Sequence, residues 1–170
     1  DSMACRGLEN VIVLQSLSKM FCIPGLRVGF CLAAEETADK ISRCSPPWGV
    51  NALAQQAVLS ITRRSEAAAA HMDQTRAFLD AERAGLVHLL ADAPGLRIFP
   101  GTATFMLLEL PGFPAADVVA HLLENRLLLR DCSNFEGLSE QFLRLSFKQP
   151  GDNRKAAERI LAYLDAPTAG

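Results

Sequence analysis

Ser16-Leu17-Ser18-Lys19 and, eight residues after the lysine, Arg27 form the segment whose residue types could do covalent chemistry. A lysine amine attacks a carbonyl only as the free base, and partial desolvation or a neighbouring cation moves it toward that form. Met20, Phe21 and Ile23 give Lys19 apolar sequence neighbours, and Arg27 brings a permanent charge able to hold a phosphate through two parallel hydrogen bonds. Ser16 and Ser18 add hydroxyl donors. Such a set suits a phosphorylated aldehyde held as a Schiff base. On residue types alone a surface lysine beside a structural arginine is the commoner reading of such a short motif. The chain has thirteen arginines but only four lysines, and Lys19 is the one lysine inside an apolar stretch.

A second set lies near the C-terminus. In Phe142-Leu143-Arg144-Leu145-Ser146-Phe147 the two-residue strand period puts Leu143, Leu145 and Phe147 toward a core and Arg144 with Ser146 on the other face. Arg130 closes the apolar run Leu127-Leu128-Leu129 and opens the polar loop Asp131-Cys132-Ser133-Asn134. Two arginines at strand ends can hold a dianionic substrate, one per anion, or form salt bridges to Asp131 or Glu140.

The elements that must position these residues follow from periodicity and punctuation. Asn10-Val11-Ile12-Val13-Leu14-Gln15 reads as a strand buried on both faces, followed past the Pro24-Gly25 turn by a second strand over 27–33. Lys19 then sits just beyond a strand's C-terminal end, where open α/β sheets place ligands. Helices are expected over 35–44, over 51–63 with Asn51 as N-cap and Leu53, Ala57 and Ile61 on one face, and from Ser65 to about residue 92, where Pro94-Gly95 stops it. Short elements follow: strands 96–99 and 103–110, helix 114–125, strands 127–130 and 142–147, and helix 152–164 capped by Asp152 with Ala157, Ile160, Leu161 and Leu164 inward. Residues 94–164 read as a small α/β sandwich.

Composition narrows the function classes. Of 170 residues 49% are apolar and 21% charged, which excludes a disordered chain, and a net charge of -2 argues against nucleic-acid or anionic-membrane binding. No apolar run approaches the ~20 residues that span a bilayer, and Asp1-Ser2-Met3 does not read as a signal peptide, so a soluble protein with a small-molecule ligand is expected. Cys5, Cys22, Cys31, Cys44 and Cys132 are odd in number and scattered, which indicates neither disulfides nor zinc and points to a reducing compartment. His71, His88 and His121 lack metal-ligand spacing and are read as structural.

Ser16-Leu17-Ser18-Lys19 followed by Ile23-Pro24-Gly25-Leu26-Arg27-Val28-Gly29 resembles the cofactor-lysine segment of fold type I pyridoxal-phosphate enzymes of the class I/II aminotransferase superfamily. The resemblance implies pyridoxal 5'-phosphate as cofactor, Lys19 as its Schiff-base lysine, and Ser16, Arg27 and, more weakly, Ser18 as its phosphate grip. Pro47-Trp48-Gly49-Val50-Asn51-Ala52-Leu53-Ala54 and Arg130-Asp131-Cys132-Ser133-Asn134-Phe135, with Arg144 fourteen residues after Arg130, are similar to the branch that holds histidinol-phosphate aminotransferases and threonine-phosphate decarboxylases, and closer to the decarboxylases. That likeness implies Arg144 on a substrate α-carboxylate, Arg130 on its phosphate, and Trp48 and Asn51 as lining residues. The pattern departs at Ala103-Thr104-Phe105, where this branch usually has Asn before the aromatic residue.

Members of this superfamily are roughly twice as long, in keeping with two-domain α/β enzymes. The resemblance therefore implies the C-terminal part of a fold type I transferase: residues 1–65 finishing the large cofactor domain, and 66–170 forming a connecting helix and a small two-layer α/β sandwich. The implied activity is decarboxylation of L-threonine O-3-phosphate to aminopropanol phosphate, a cobalamin building block, by a cytoplasmic homodimer. A histidinol-phosphate aminotransferase or related transaminase, and a non-catalytic fragment, stand as alternatives. For the chain by itself, weak cofactor binding or none, a more water-exposed Lys19, and exposed apolar surface along the unfinished sheet that favours dimerisation or aggregation are expected.

Overall fold

The computed structural model describes residues 8–166, which leaves Cys5 outside the described residues. The chain divides into two compact units, Asp1–Thr75 and Arg76–Gly170, and the division falls inside one long helix.

In the first unit β1 (Val13–Ser16) and β2 (Gly29–Leu32) pair antiparallel, with Val13 opposite Leu32 and Ser16 opposite Gly29. Between them come the one-turn helix α1 (Leu17–Met20) and a 3-10 turn over Pro24–Leu26. Glycine is required at position 29: a Cβ there would stand 2.6 Å from the Gln15 carbonyl oxygen. The branched run is a strand, but it is not buried on both faces. Leu14 is 80% exposed, and Phe30 and Leu32 are also exposed, because the described sheet has only two strands and nothing covers the apolar pattern. Helices α2 (Glu35–Cys44) and α3 (Ala52–Arg63) lie where periodicity puts them, and Asn51 caps α3, its side chain accepting from the Ala54 N–H at 2.9 Å. The inward face of α3 is set by fully buried Ala54, with Leu53 exposed, a one-residue rotation of the expected stripe.

The helix that crosses the division is α4 (Ser65–Leu90). In the second unit β3 (Arg97–Phe99), β4 (Phe105–Glu109), β5 (Arg130–Asp131) and β6 (Phe142–Ser146) form an antiparallel sheet in the order β3-β4-β6-β5. Met106, Leu108, Leu143 and Leu145 point to one face and pack with Leu86 and Leu90 of α4, Val118 and Leu122 of α5 (Ala115–Glu124), and Ala157 and Ile160 of α6 (Pro150–Leu164). This is the expected two-layer sandwich, and alternation along β6 places Arg144 and Ser146 on the face away from that core.

Two local expectations are corrected. The apolar run 127–130 contributes only Arg130 to the ladder, because the chain first closes α5: Arg126 N–H bonds Leu123 O at 2.9 Å and Leu127 N–H bonds Leu122 O at 3.0 Å. That is a Schellman closure with Arg126, at φ 59, where glycine is usual. Asp152 does not cap α6. The helix begins at Pro150 after Gln149, and it is Asn153 that accepts from the Lys148 N–H, at 2.8 Å.

Candidate functional site

The residues singled out by chemistry fall into one set in each unit. In the first, Ser16 ends β1 and caps α1, with its hydroxyl 2.7 Å from that of Ser18. Ser18 is only 4% exposed, while Lys19, the next residue on the single turn, is exposed to solvent. Arg27 takes a left-handed backbone (φ 50) and donates from Nη1 to Pro24 O at 3.0 Å, which leaves its other guanidinium nitrogens to the surroundings. An open groove of about 480 Å³ is lined by Ser16, Ser18, Arg27 and Gly29 among others, and Lys19 is not part of its wall.

Asn51 belongs to the same unit. Besides capping α3 it donates from Nδ2 to Leu26 O at 3.3 Å, tying that helix to the residue before Arg27. Trp48 stands 97% exposed in a left-handed conformation (φ 64). His71, read from sequence as merely structural, stacks on Phe21 with ring centroids 5.8 Å apart, and its Nε2 lies 3.0 Å from the carbonyl of Met20, next to Lys19. Nothing in its spacing announces that contact, which spans 51 positions.

In the second unit Arg130 and Arg144 are directly opposed across β5 and β6 and so share the face turned from the core. Arg144 lies 4.9 Å over the Phe105 ring, and its Nε is buried without a hydrogen-bond partner. Arg130 lies 5.5 Å over Phe135 and donates to the Asn134 Oδ1 at 3.0 Å. The salt-bridge alternative is overturned: among the described residues neither guanidinium has an ion pair, and the Asp131 carboxylate accepts from the Ser133 N–H instead. Both arginines line a groove of about 580 Å³ together with Arg126, Lys148 and the single acid Asp152. Burial pushes the Cys132 thiol above its usual pKa, and the nearby Arg144 and Arg130 charges pull it back. The aromatic platforms under the arginines carry no signal in spacing: Phe135 lies in the loop after Arg130, and Phe105 follows Ala103-Thr104.

Hydroxyl donors and a guanidinium anchored through one nitrogen, around an open groove, fit the phosphate of pyridoxal phosphate, with an exposed amine one residue away. The glycine required at 29 keeps Ser16 seated against β2 at that groove. Among the described residues the groove's wall carries no carboxylate for the cofactor's ring nitrogen.

Comparison with known proteins supplies the context. The profile for aminotransferase class I and II matches residues 5–160. The threonine-phosphate decarboxylase of Salmonella typhimurium is 33% identical over 162 residues, covering 95% of this chain and 42% of that enzyme. A histidinol-phosphate aminotransferase of Thermoanaerobacter pseudethanolicus is 35% identical over 139 residues, 81% of this chain and 37% of that enzyme. Among solved structures, the L-threonine-O-3-phosphate decarboxylase of Porphyromonas gingivalis superposes with a TM-score of 0.83 at 29% identity, covering 94% of this chain and 48% of the other. The chain thus spans less than half the length of these relatives.

Proposed function

This chain belongs to the aminotransferase class I and II family of pyridoxal-phosphate enzymes, and on that premise we propose that it serves the decarboxylation of L-threonine O-3-phosphate to aminopropanol phosphate. The observation that carries the reading is the cross-strand pair of arginines without a carboxylate partner, which suits a ligand bearing two anionic groups.

Lys19 would hold the cofactor covalently, with Ser16, Ser18 and Arg27 on its phosphate. When bound, the cofactor supplies an electron sink for the bond broken at the substrate Cα. Arg144 takes the α-carboxylate and Arg130 the phosphate, so the substrate is held at both ends and cannot rotate freely. By fixing the carboxylate direction, Arg144 selects which Cα substituent leaves. Lys19, as its side-chain ammonium, would return a proton to Cα as a general acid. Trp48 and Asn51 line the site. The intact protein would be a homodimer of a reducing cytoplasm. The 170 residues by themselves would hold the cofactor weakly, since the ring's stacking aromatic and the Asp for its nitrogen belong, by the family likeness, to the part of the relatives that this chain does not match.

A second reading, transamination of histidinol phosphate or a related amine, is favoured by the 35% identity to such an enzyme. A chimera separates the two: this chain replaces the matching portion of the Salmonella typhimurium decarboxylase, and carboxyl-labelled threonine phosphate is supplied. Labelled CO2 is the expected product. A keto acid with the label retained would reject decarboxylation.

A further inference from the structure

We propose that Arg83 is a positioning residue for Arg144, acting through the start of strand β4; the inference rests on the reading of Arg144 as an anion grip. The Arg83 side chain is largely buried, pairs through Nη1 with Asp80, and donates from Nη2 to the Ala103 carbonyl at 2.9 Å. Its guanidinium also lies 5.3 Å over the ring of Phe147, just past the end of β6. Ala103 and Thr104 lead straight into Phe105, the first residue of β4 and the ring on which Arg144 rests. Phe147 N–H closes the figure by bonding Thr104 O at 3.0 Å.

Arg83 therefore grips, from α4, both the segment entering β4 and the segment leaving β6. Arg144 depends on that grip because its buried Nε makes no hydrogen bond, leaving the Phe105 ring as the surface against which its guanidinium is set. Only arginine meets the demand at position 83. Its planar fork reaches a carbonyl and a carboxylate while its face lies over a ring, which a lysine ammonium does not do.

The link is read in the full 170-residue chain by the 15N–1H signal of the Arg144 Nε, assigned by its disappearance in Arg144→Lys. In Arg83→Met that signal should shift, and perturbation of it by added L-threonine O-3-phosphate should need about tenfold more ligand. Arg83→Lys should restore less than half of either effect. Dispersed core methyl signals of Leu108 and Leu143 show that each variant is folded. Should Arg83→Met fail that check, Arg83→Gln takes its place under the same criterion. An unmoved Arg144 signal in a folded variant overturns the proposal. If threonine phosphate perturbs nothing in the unsubstituted chain, the anion-grip reading fails, while the Arg83 link is still judged by the Arg144 signal alone.

Discussion

Arg130 and Arg144 occupy directly opposed positions of β5 and β6 with their side chains on the same face, and among the described residues no carboxylate is paired with either. Like charges opposed across a ladder cost stability, a few tenths to about 1 kcal/mol. A bound anion removes the cost, and the ligand-free fold bears it.

Arg144→Gln should therefore raise the urea midpoint of the chain slightly, by about 0.5 kcal/mol in unfolding free energy, and at the same time abolish the stabilisation that the proposed substrate, threonine phosphate, is expected to give the unsubstituted protein. Urea melts with and without ligand check both halves. Loss of stability in both conditions would mean that the pair is structural.

Lys19 is exposed and outside the folded core, so Lys19→Ala should change stability by less than about 0.5 kcal/mol. It should nonetheless remove the borohydride-reducible aldimine band that distinguishes the unsubstituted chain with pyridoxal phosphate from the free cofactor. Absorbance spectra before and after reduction, beside a thermal melt, test the separation.

Arg126 holds a left-handed conformation to close α5. Arg126→Gly removes the steric cost of a Cβ there and should stabilise the second unit by about 1 kcal/mol, the usual order for a side chain in that region. A decrease in the urea midpoint would show that the Arg126 side chain contributes more than its backbone costs.

The Cys132 thiol has its pKa raised by burial, so the folded chain favours the protonated form. Its contribution to stability is complete below the ordinary thiol range and is lost as pH rises from that range through the raised folded value. Stability measured from about pH 7 to 10 should fall more steeply for the unsubstituted chain than for Cys132→Ala.

Fully buried Leu143 and largely exposed Leu14 should respond in opposite ways. Leu143→Ala leaves a cavity between sheet and helices and should cost about 2–5 kcal/mol. Leu14→Lys should leave the melting temperature unchanged and reduce light scattering at high concentration, since the exposed strand pair favours association.

Much of this was legible in the chain. The alternation Leu143, Leu145, Phe147 fixed the faces of β6 and with them the side on which Arg144 stands, because a strand's period is insensitive to what lies beyond it. Asn51 announced the start of α3 by residue type. Leu14 is exposed although its run reads as a strand buried on both faces, because apolar patterning records the neighbours a strand is suited to, and the described sheet holds none beyond β2. The closure at Arg126 was hidden because glycine, not arginine, is the expected signal there. Contacts such as Arg83 to Ala103 and Asn153 to Glu82 join positions 20 and 71 apart, and no local rule connects them.

Asn153 is 3% exposed; its amide nitrogen donates to Glu82 at 2.6 Å and to Lys148 O at 2.9 Å while its oxygen accepts from the Lys148 N–H. Slow hydrolysis of that one amide to an acid, a common ageing lesion of stored proteins, would turn both donors into a carboxylate facing a second carboxylate and a carbonyl. At the junction between β6 and α6 that exchange would set like charges together and loosen the hold on the turn, a short stretch of chain from the arginine proposed to select the reaction.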